Sequence, residues 1–147
     1  MTKKLVKTVQ SRTDHLHEVR EFVSQVARQF GFGDEETANI VLAVDEACTN
    51  VIEHAYNNAP DKEITVEIRP ANGMFEIRVL DEGKSFNPDA VKPPNLKKHL
   101  SEYRRGGLGI YLMKTLMDKV EYNFSPGKKN EVRLTKYLKK NPTSATG

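Results

Sequence analysis

The sequence predicts an α+β fold, a two-layer α/β sandwich with helices on one face of a mixed, largely antiparallel sheet. Two observations carry this expectation. Short runs of alternating apolar and polar residues come in adjacent pairs joined by turn signals, as antiparallel hairpins do. Three longer segments repeat apolar residues at spacings of three and four, as helices with one buried face do. With 147 residues the chain is long enough to bury a core as one domain, expected over residues 1–138, followed by a small polar tail at 139–147 that frays.

Lys4 to Gln10 alternates and reads as an edge strand. Asp14 then offers an N-cap to a helix whose stripe is Leu16, Val19, Phe22, Val23, Val26 and Phe30, ended by Gly31. His15 and His17 do not face each other at a spacing of two and read as surface residues. Asp34, Glu35 and Glu36 place negative charge at the positive end of a second helix. That helix continues through VLAVDEACTNVIEHAY as one helical span, Val41 to Tyr56, and ends in Asn57, Asn58 and Pro60. Ile64, Val66 and Ile68 alternate with polar residues, Asn72-Gly73 signals a type I′ hairpin turn, and Phe75, Ile77 and Val79 form the return strand. A basic, proline-punctuated loop follows, closed by Gly106-Gly107-Leu108-Gly109 at the start of a third helix with Ile110, Leu112, Met113, Leu116 and Met117 on its buried side. Val120 to Phe124 and Val132 to Leu138 make a last pair of strands around Pro126-Gly127.

Composition narrows the function. Twenty-three Lys and Arg against 20 Asp and Glu leave a net charge of +3, too little to announce a nucleic-acid binder. A single cysteine, Cys48, rules out an intrachain disulfide and a cysteine-based metal site. The leading MTKKLVKTV lacks the apolar core of a signal peptide, and no run reaches membrane-spanning length, so a cytoplasmic protein without membrane contact is expected.

Three pieces carry chemistry. Glu46 and Asn50 lie four apart on the second helix, about 40° apart around its axis. A carboxylate beside a neutral amide suits a hydrated magnesium ion and a nucleophile, since magnesium takes few protein ligands beside substrate phosphates. On that stretch alone the pair reads more readily as solvated residues next to a buried stripe. Asp81 and Gly83 follow a strand, where such residues usually make a turn. Gly107, Leu108 and Gly109 open a helix behind Arg104 and Arg105, where glycines allow phosphates close to backbone N–H groups.

The order and separation of these pieces match the N, G1 and G2 boxes of the GHKL ATPases. DEACTNVIEHAY, DEGKSF and RRGGLGIYLMKTLMD most closely resemble the bacterial anti-sigma factor serine/threonine kinases, and the resemblance covers nearly the whole chain. It implies a Bergerat-type ATP-binding fold with a mobile lid, here Phe86 to Arg105. It further implies that Asn50 holds Mg²⁺, that Glu46 is the general base toward a substrate serine, and that Arg105 supplies charge to the phosphates. Asp81 would accept from the adenine amino group above Gly83, and Gly107, Leu108 and Gly109, with Arg104, would meet the phosphates of ATP or ADP. Thr49 and Asp45 would flank the site, and His54 reads as a structural helix-end residue. Unlike histidine kinases, which usually carry Asn at the first N-box position, this chain has Glu46. The implied function is an ATP- and Mg²⁺-dependent protein kinase that acts as an anti-sigma factor. Its implied partners are an RNA polymerase sigma factor and a STAS-domain antagonist, with homodimerisation through the first strand. The alternative is a non-catalytic nucleotide-binding module that sequesters a protein partner.

Overall fold

A computed structural model describes residues 3–84, 107–124 and 129–139, with the backbone alone at 107–109. The expected lid from Phe86 to Arg105, the Pro126-Gly127 turn and nearly all of the tail lie outside the described residues.

Alternation sets the strands. β1 (Leu5–Gln10), β2 (Glu63–Ala71), β3 (Met74–Asp81), β4 (Lys119–Phe124) and β5 (Asn130–Tyr137) form one sheet in the order β1-β2-β3-β5-β4. All four pairings are antiparallel, so the largely antiparallel sheet that was expected is wholly so among the described strands. The physical reason lies in β5. It returns from β4 as a hairpin partner and inserts between β4 and β3, so these two strands, which run the same way, never touch. β1 stands at the edge as expected, with Val6 half-exposed.

Three helices cover one face: α1 (Leu16–Phe30), α2 (Asp34–Asn50) and α3 (Gly107–Leu116), with α2 packed between the other two. Their apolar stripes meet the inward residues of the sheet. Val19, Val23, Ile40, Val44 and Met113 are buried against Ile64, Val66, Ile68, Phe75, Ile77, Val79 and Leu134. Phe75 anchors one end of this core against Phe30 and Phe32, with ring centroids 5.2 and 5.4 Å away. The other sheet face carries ion pairs within and between strands instead. Arg133 lies 3.1 Å from both Glu76 and Glu131, and Arg78 lies 3.4 Å from Glu131. Such pairs add little stability individually, but they keep that face from being an apolar patch.

Local chemistry differs from expectation at three places. Asp14 does not cap α1: a 3₁₀ turn (Thr13–His15) precedes it, and the Asp14 carboxylate is taken by Arg12 at 3.0 and 3.1 Å. Gly31 does end α1, in the left-handed region at φ 118°, with the Phe32 N–H reaching back to the Ala27 carbonyl at 3.2 Å. The Asn72-Gly73 hairpin forms where expected, but only Gly73 has positive φ, 70°. A type I′ turn needs positive φ at both central residues, so that turn type is excluded. The Gly73 carbonyl is fixed by the Leu138 N–H at 2.8 Å, tying the turn to the end of β5.

Finally, the long helical span is not uniform. After Asn50 the α-helix widens into a π-helical turn, Val51–Ala55. It closes with the Tyr56 N–H on the Val51 carbonyl at 2.9 Å, and Asn57 and Asn58 then leave in left-handed conformation at φ 50° and 66°. Asparagine tolerates that region better than other non-glycine residues, which accounts for the pair at this exit.

Candidate nucleotide-binding site

The site is built where the C-terminal end of α2 meets the end of β3. Asn50 is the last residue of α2 before the π-turn and Asp81 the last of β3, and both are buried, at 3% and 6% exposure. They line one slot together with Ala47, Val51, Met113, Tyr122, Phe124, Glu131 and Val132. The walls are mostly apolar and two acceptor-bearing side chains converge between them, the usual composition of a small-molecule site.

Asp81 is held by its neighbours. Its Oδ1 accepts from the Gly83 N–H at 2.8 Å and from Asn130 Nδ2 at 2.9 Å, while the same Asn130 Nδ2 donates to the Gly83 carbonyl at 2.9 Å. Burial pushes the Asp81 carboxyl above the usual carboxylate range, and the bonds from Asn130 and Gly83 oppose this. The loop after Asp81 is clamped to the π-turn. The Lys84 N–H donates to the Ala55 carbonyl at 2.8 Å, and the Tyr56 hydroxyl accepts from the Glu82 N–H at 2.8 Å while donating to the Glu63 carbonyl at 2.6 Å. The approach leaves no space for a side chain at Gly83, because an added Cβ would stand 2.4 Å from the Ala55 carbonyl oxygen. The glycine is required here by packing rather than by its backbone angles.

Asn50 presents the opposite situation. Its buried Nδ2 has no hydrogen-bond partner among the described residues. A buried amide left unmatched costs on the order of 1–3 kcal/mol, so a group that would satisfy it fits this position. The two ends of the amide suit phosphate chemistry. The carbonyl-type oxygen is a hard ligand for Mg²⁺, and the nitrogen is a donor for a phosphate oxygen. The residues present therefore fit a magnesium nucleotide.

Glu46 sits one turn before Asn50, half-buried, and does not itself line the slot. Burial raises its carboxyl above the ordinary range, helped by the nearby charges of Asp45 and Glu53. Asp45 is engaged elsewhere, accepting from Arg20 of α1 at 2.8 Å. The Thr49 hydroxyl donates to the Asp45 carbonyl at 2.9 Å, so its proton is committed to the helix backbone. Cys48 is fully buried with its thiol pushed up by desolvation, an inert packing residue. Gly107, Leu108 and Gly109 open α3, which brings Met113 into the slot, whereas Arg104 and Arg105 fall outside the described residues.

Sequence reasoning missed Asn130 and Tyr56. Asn130 lies 49 residues from its partner, and only strand pairing of Asp81 with Asn130 brings them together. The available signal was a polar amide at the first position of a strand whose inner face continues with Val132 and Leu134.

These features define an ATP-binding domain of the histidine kinase-like class. The histidine kinase-like ATPase domain family matches residues 9–136, and the chain belongs to that family. Within it, the similar proteins are serine-protein kinases RsbW. That of Halalkalibacterium halodurans is 34% identical over 137 residues, covering 90% of this chain and 82% of its own. The relative from Bacillus velezensis is 37% identical over 124 residues (82% and 76%), and that from Bacillus subtilis 34% over 134 residues (88% and 82%). A solved structure of the RsbU and RsbW domains of Rv1364c from Mycobacterium tuberculosis superposes with a TM-score of 0.66. At 20% identity it supports the fold alone, and the alignment covers 92% of this chain but 32% of that longer one.

Proposed function

We propose that this protein is an ATP- and Mg²⁺-dependent serine/threonine protein kinase that also acts as an anti-sigma factor. The observation that carries the reading is the slot between Asn50 and Asp81, with a fixed buried acceptor at one end and an unmatched buried amide at the other. The base of ATP would enter between the apolar walls, its amino group donating to Asp81. Asn50 would hold Mg²⁺, which when bound neutralises charge on the nucleotide phosphates. Glu46, one turn away and of raised basicity, would take the proton from the substrate serine hydroxyl as its oxygen attacks the γ-phosphorus and the bond to the β-phosphate oxygen breaks. Thr49 would flank these groups. Gly83 would let the loop pass under the base, and the backbone at Gly107, Leu108 and Gly109, with Arg104 and Arg105 before it, would meet the phosphates.

The kinship with serine-protein kinases RsbW supports the partner assignment. The protein would bind an RNA polymerase sigma factor in the cytoplasm and phosphorylate a STAS-domain antagonist, with no direct nucleic-acid or membrane contact. Among the described residues no helix is long and apolar enough to cross a membrane. Added phosphate charge would weaken the antagonist's docking and return the kinase to the sigma factor. The test is transfer from labelled ATP to a purified STAS-domain antagonist of the same organism. Asn50→Ala should lower Mg²⁺-dependent transfer by at least 100-fold, about 3 kcal/mol of transition-state stabilisation; an unchanged rate would overturn the metal assignment.

A further inference from the structure

The buried hydrogen bonds around Asp81 say more than that the carboxylate is held. Asp81 Oδ1 receives two donors, the Gly83 N–H at 2.8 Å and Asn130 Nδ2 at 2.9 Å, while no donor from the described residues reaches Oδ2. The orientation of the Asn130 amide is forced, because it faces two acceptors, Asp81 Oδ1 and the Gly83 carbonyl, and only its nitrogen can serve both. Asn130 is itself buried, at 5% exposure, and starts β5 directly opposite Asp81.

We propose that Asn130 is the positioning residue through which the slot selects a 6-aminopurine over a 6-oxopurine, by occupying one oxygen of Asp81 and leaving the other as a pure acceptor. The inference rests on the reading of the slot as a nucleotide-base site. An ionised carboxylate only accepts, so it matches the 6-amino group of adenine and opposes the 6-carbonyl of hypoxanthine or guanine. A protonated Asp81 would donate to that carbonyl and erase the distinction. Burial favours the protonated form, and the donors at Oδ1 work against it. The other ionisable groups around the pair are Tyr56 at the end of the π-turn, Tyr122 of β4 in the same slot, and Glu82, Lys84 and Glu131 beside it in sequence.

The test compares ATP with inosine triphosphate, which differs by a carbonyl in place of that amino group. Calorimetric affinities are measured from about pH 5.5 to 8 for the wild type, Asn130→Leu and Asn130→Asp. The wild type should prefer ATP throughout. In Asn130→Leu the ATP affinity should fall by about 10- to 100-fold, the range for a hydrogen bond to a charged group. Inosine triphosphate should lose less, so the preference shrinks. Asn130→Asp keeps the shape and, while its new carboxyl retains a proton, keeps a donor. Its ATP affinity should approach wild type at the acid end and fall as pH rises, a profile that a purely structural role would not produce. Equal losses for both nucleotides, with a pH profile parallel to wild type in Asn130→Asp, would overturn the proposal. Failure of the wild type to bind either nucleotide would instead overturn the reading of the slot. Should Asn130→Leu not fold, the isosteric Asn130→Asp still decides the matter.

Discussion

Replacing Gly83 with alanine probes the join between the two halves of the site. The added Cβ would lie 2.4 Å from the Ala55 carbonyl oxygen, 2.7 Å from its carbon and 2.8 Å from Tyr56 Cδ1. Two of those three atoms are backbone, so no side-chain rotation relieves the overlap. The loop would have to retreat from the π-turn by most of an ångström, giving up the Lys84 N–H bond to Ala55 and straining the Tyr56 bridge between Glu82 and Glu63. Overpacking of this kind costs about 1–3 kcal/mol, and a lost hydrogen bond adds about 1 kcal/mol, giving roughly 2–4 kcal/mol in all. At this chain length that corresponds to a melting temperature lower by roughly 4–16 °C. Because the Gly83 N–H also holds Asp81 Oδ1, ATP affinity should fall more than stability alone requires. Thermal melts with and without MgATP measure both effects. A Gly83→Ala protein with unchanged melting temperature and ATP affinity within twofold of wild type would refute the steric argument.

Other predictions follow from the same geometry. Asn50→Ala removes an unmatched buried amide, so the nucleotide-free protein should stay within about 1 kcal/mol of wild-type stability while the added stabilisation by MgATP disappears, as read in melts against ligand concentration. Tyr56→Phe leaves the Glu63 carbonyl and the Glu82 N–H without their bridging hydroxyl and should cost about 1–3 kcal/mol in urea unfolding, with weakened ATP binding. Glu46 must be ionised to act as a base, and its raised value places the acid limb of kcat/KM above the usual carboxylate range near 4.3. The sign for stability is the reverse: the folded state holds this proton more tightly than the unfolded chain. Glu46 therefore opposes folding at neutral pH and less so as pH falls, and Glu46→Gln should raise the melting temperature at pH 7 with a gain that fades toward acid pH.

The layers of the fold were legible because periodicity reports burial directly. Of the stripe read from spacing, Val41, Val44, Cys48, Val51, Ile52 and Ala55, all but the partly buried Val41 are buried, and the alternation around Asn72-Gly73 gave the β2–β3 hairpin. What local pattern does not encode is how a backbone accommodates its surroundings. The turn type at Asn72-Gly73 answers to Leu138 at the far end of β5, and Asp14 prefers a guanidinium to a capping role. The widening after Asn50 leaves no mark in residue type, since Val51 to Ala55 would serve equally in an α-helix. The candidate site divides the same way. Asn50 and Asp81, known by motif, converge on one slot, whereas Asn130 owes its contact with Asp81 to sheet pairing across 49 residues.

A general base at Glu46 is what would make this ATP-binding domain a kinase. The direct measurement is single-turnover transfer from labelled ATP to the serine of a STAS-domain antagonist, run in parallel with wild type and Glu46→Gln at saturating MgATP. Both proteins should bind ATP and the wild type should transfer phosphate, with the rate in Glu46→Gln lower by about 10²–10⁴-fold, the usual contribution of a positioned general base. Equal transfer rates, or no transfer by a wild type that binds ATP, would contradict it.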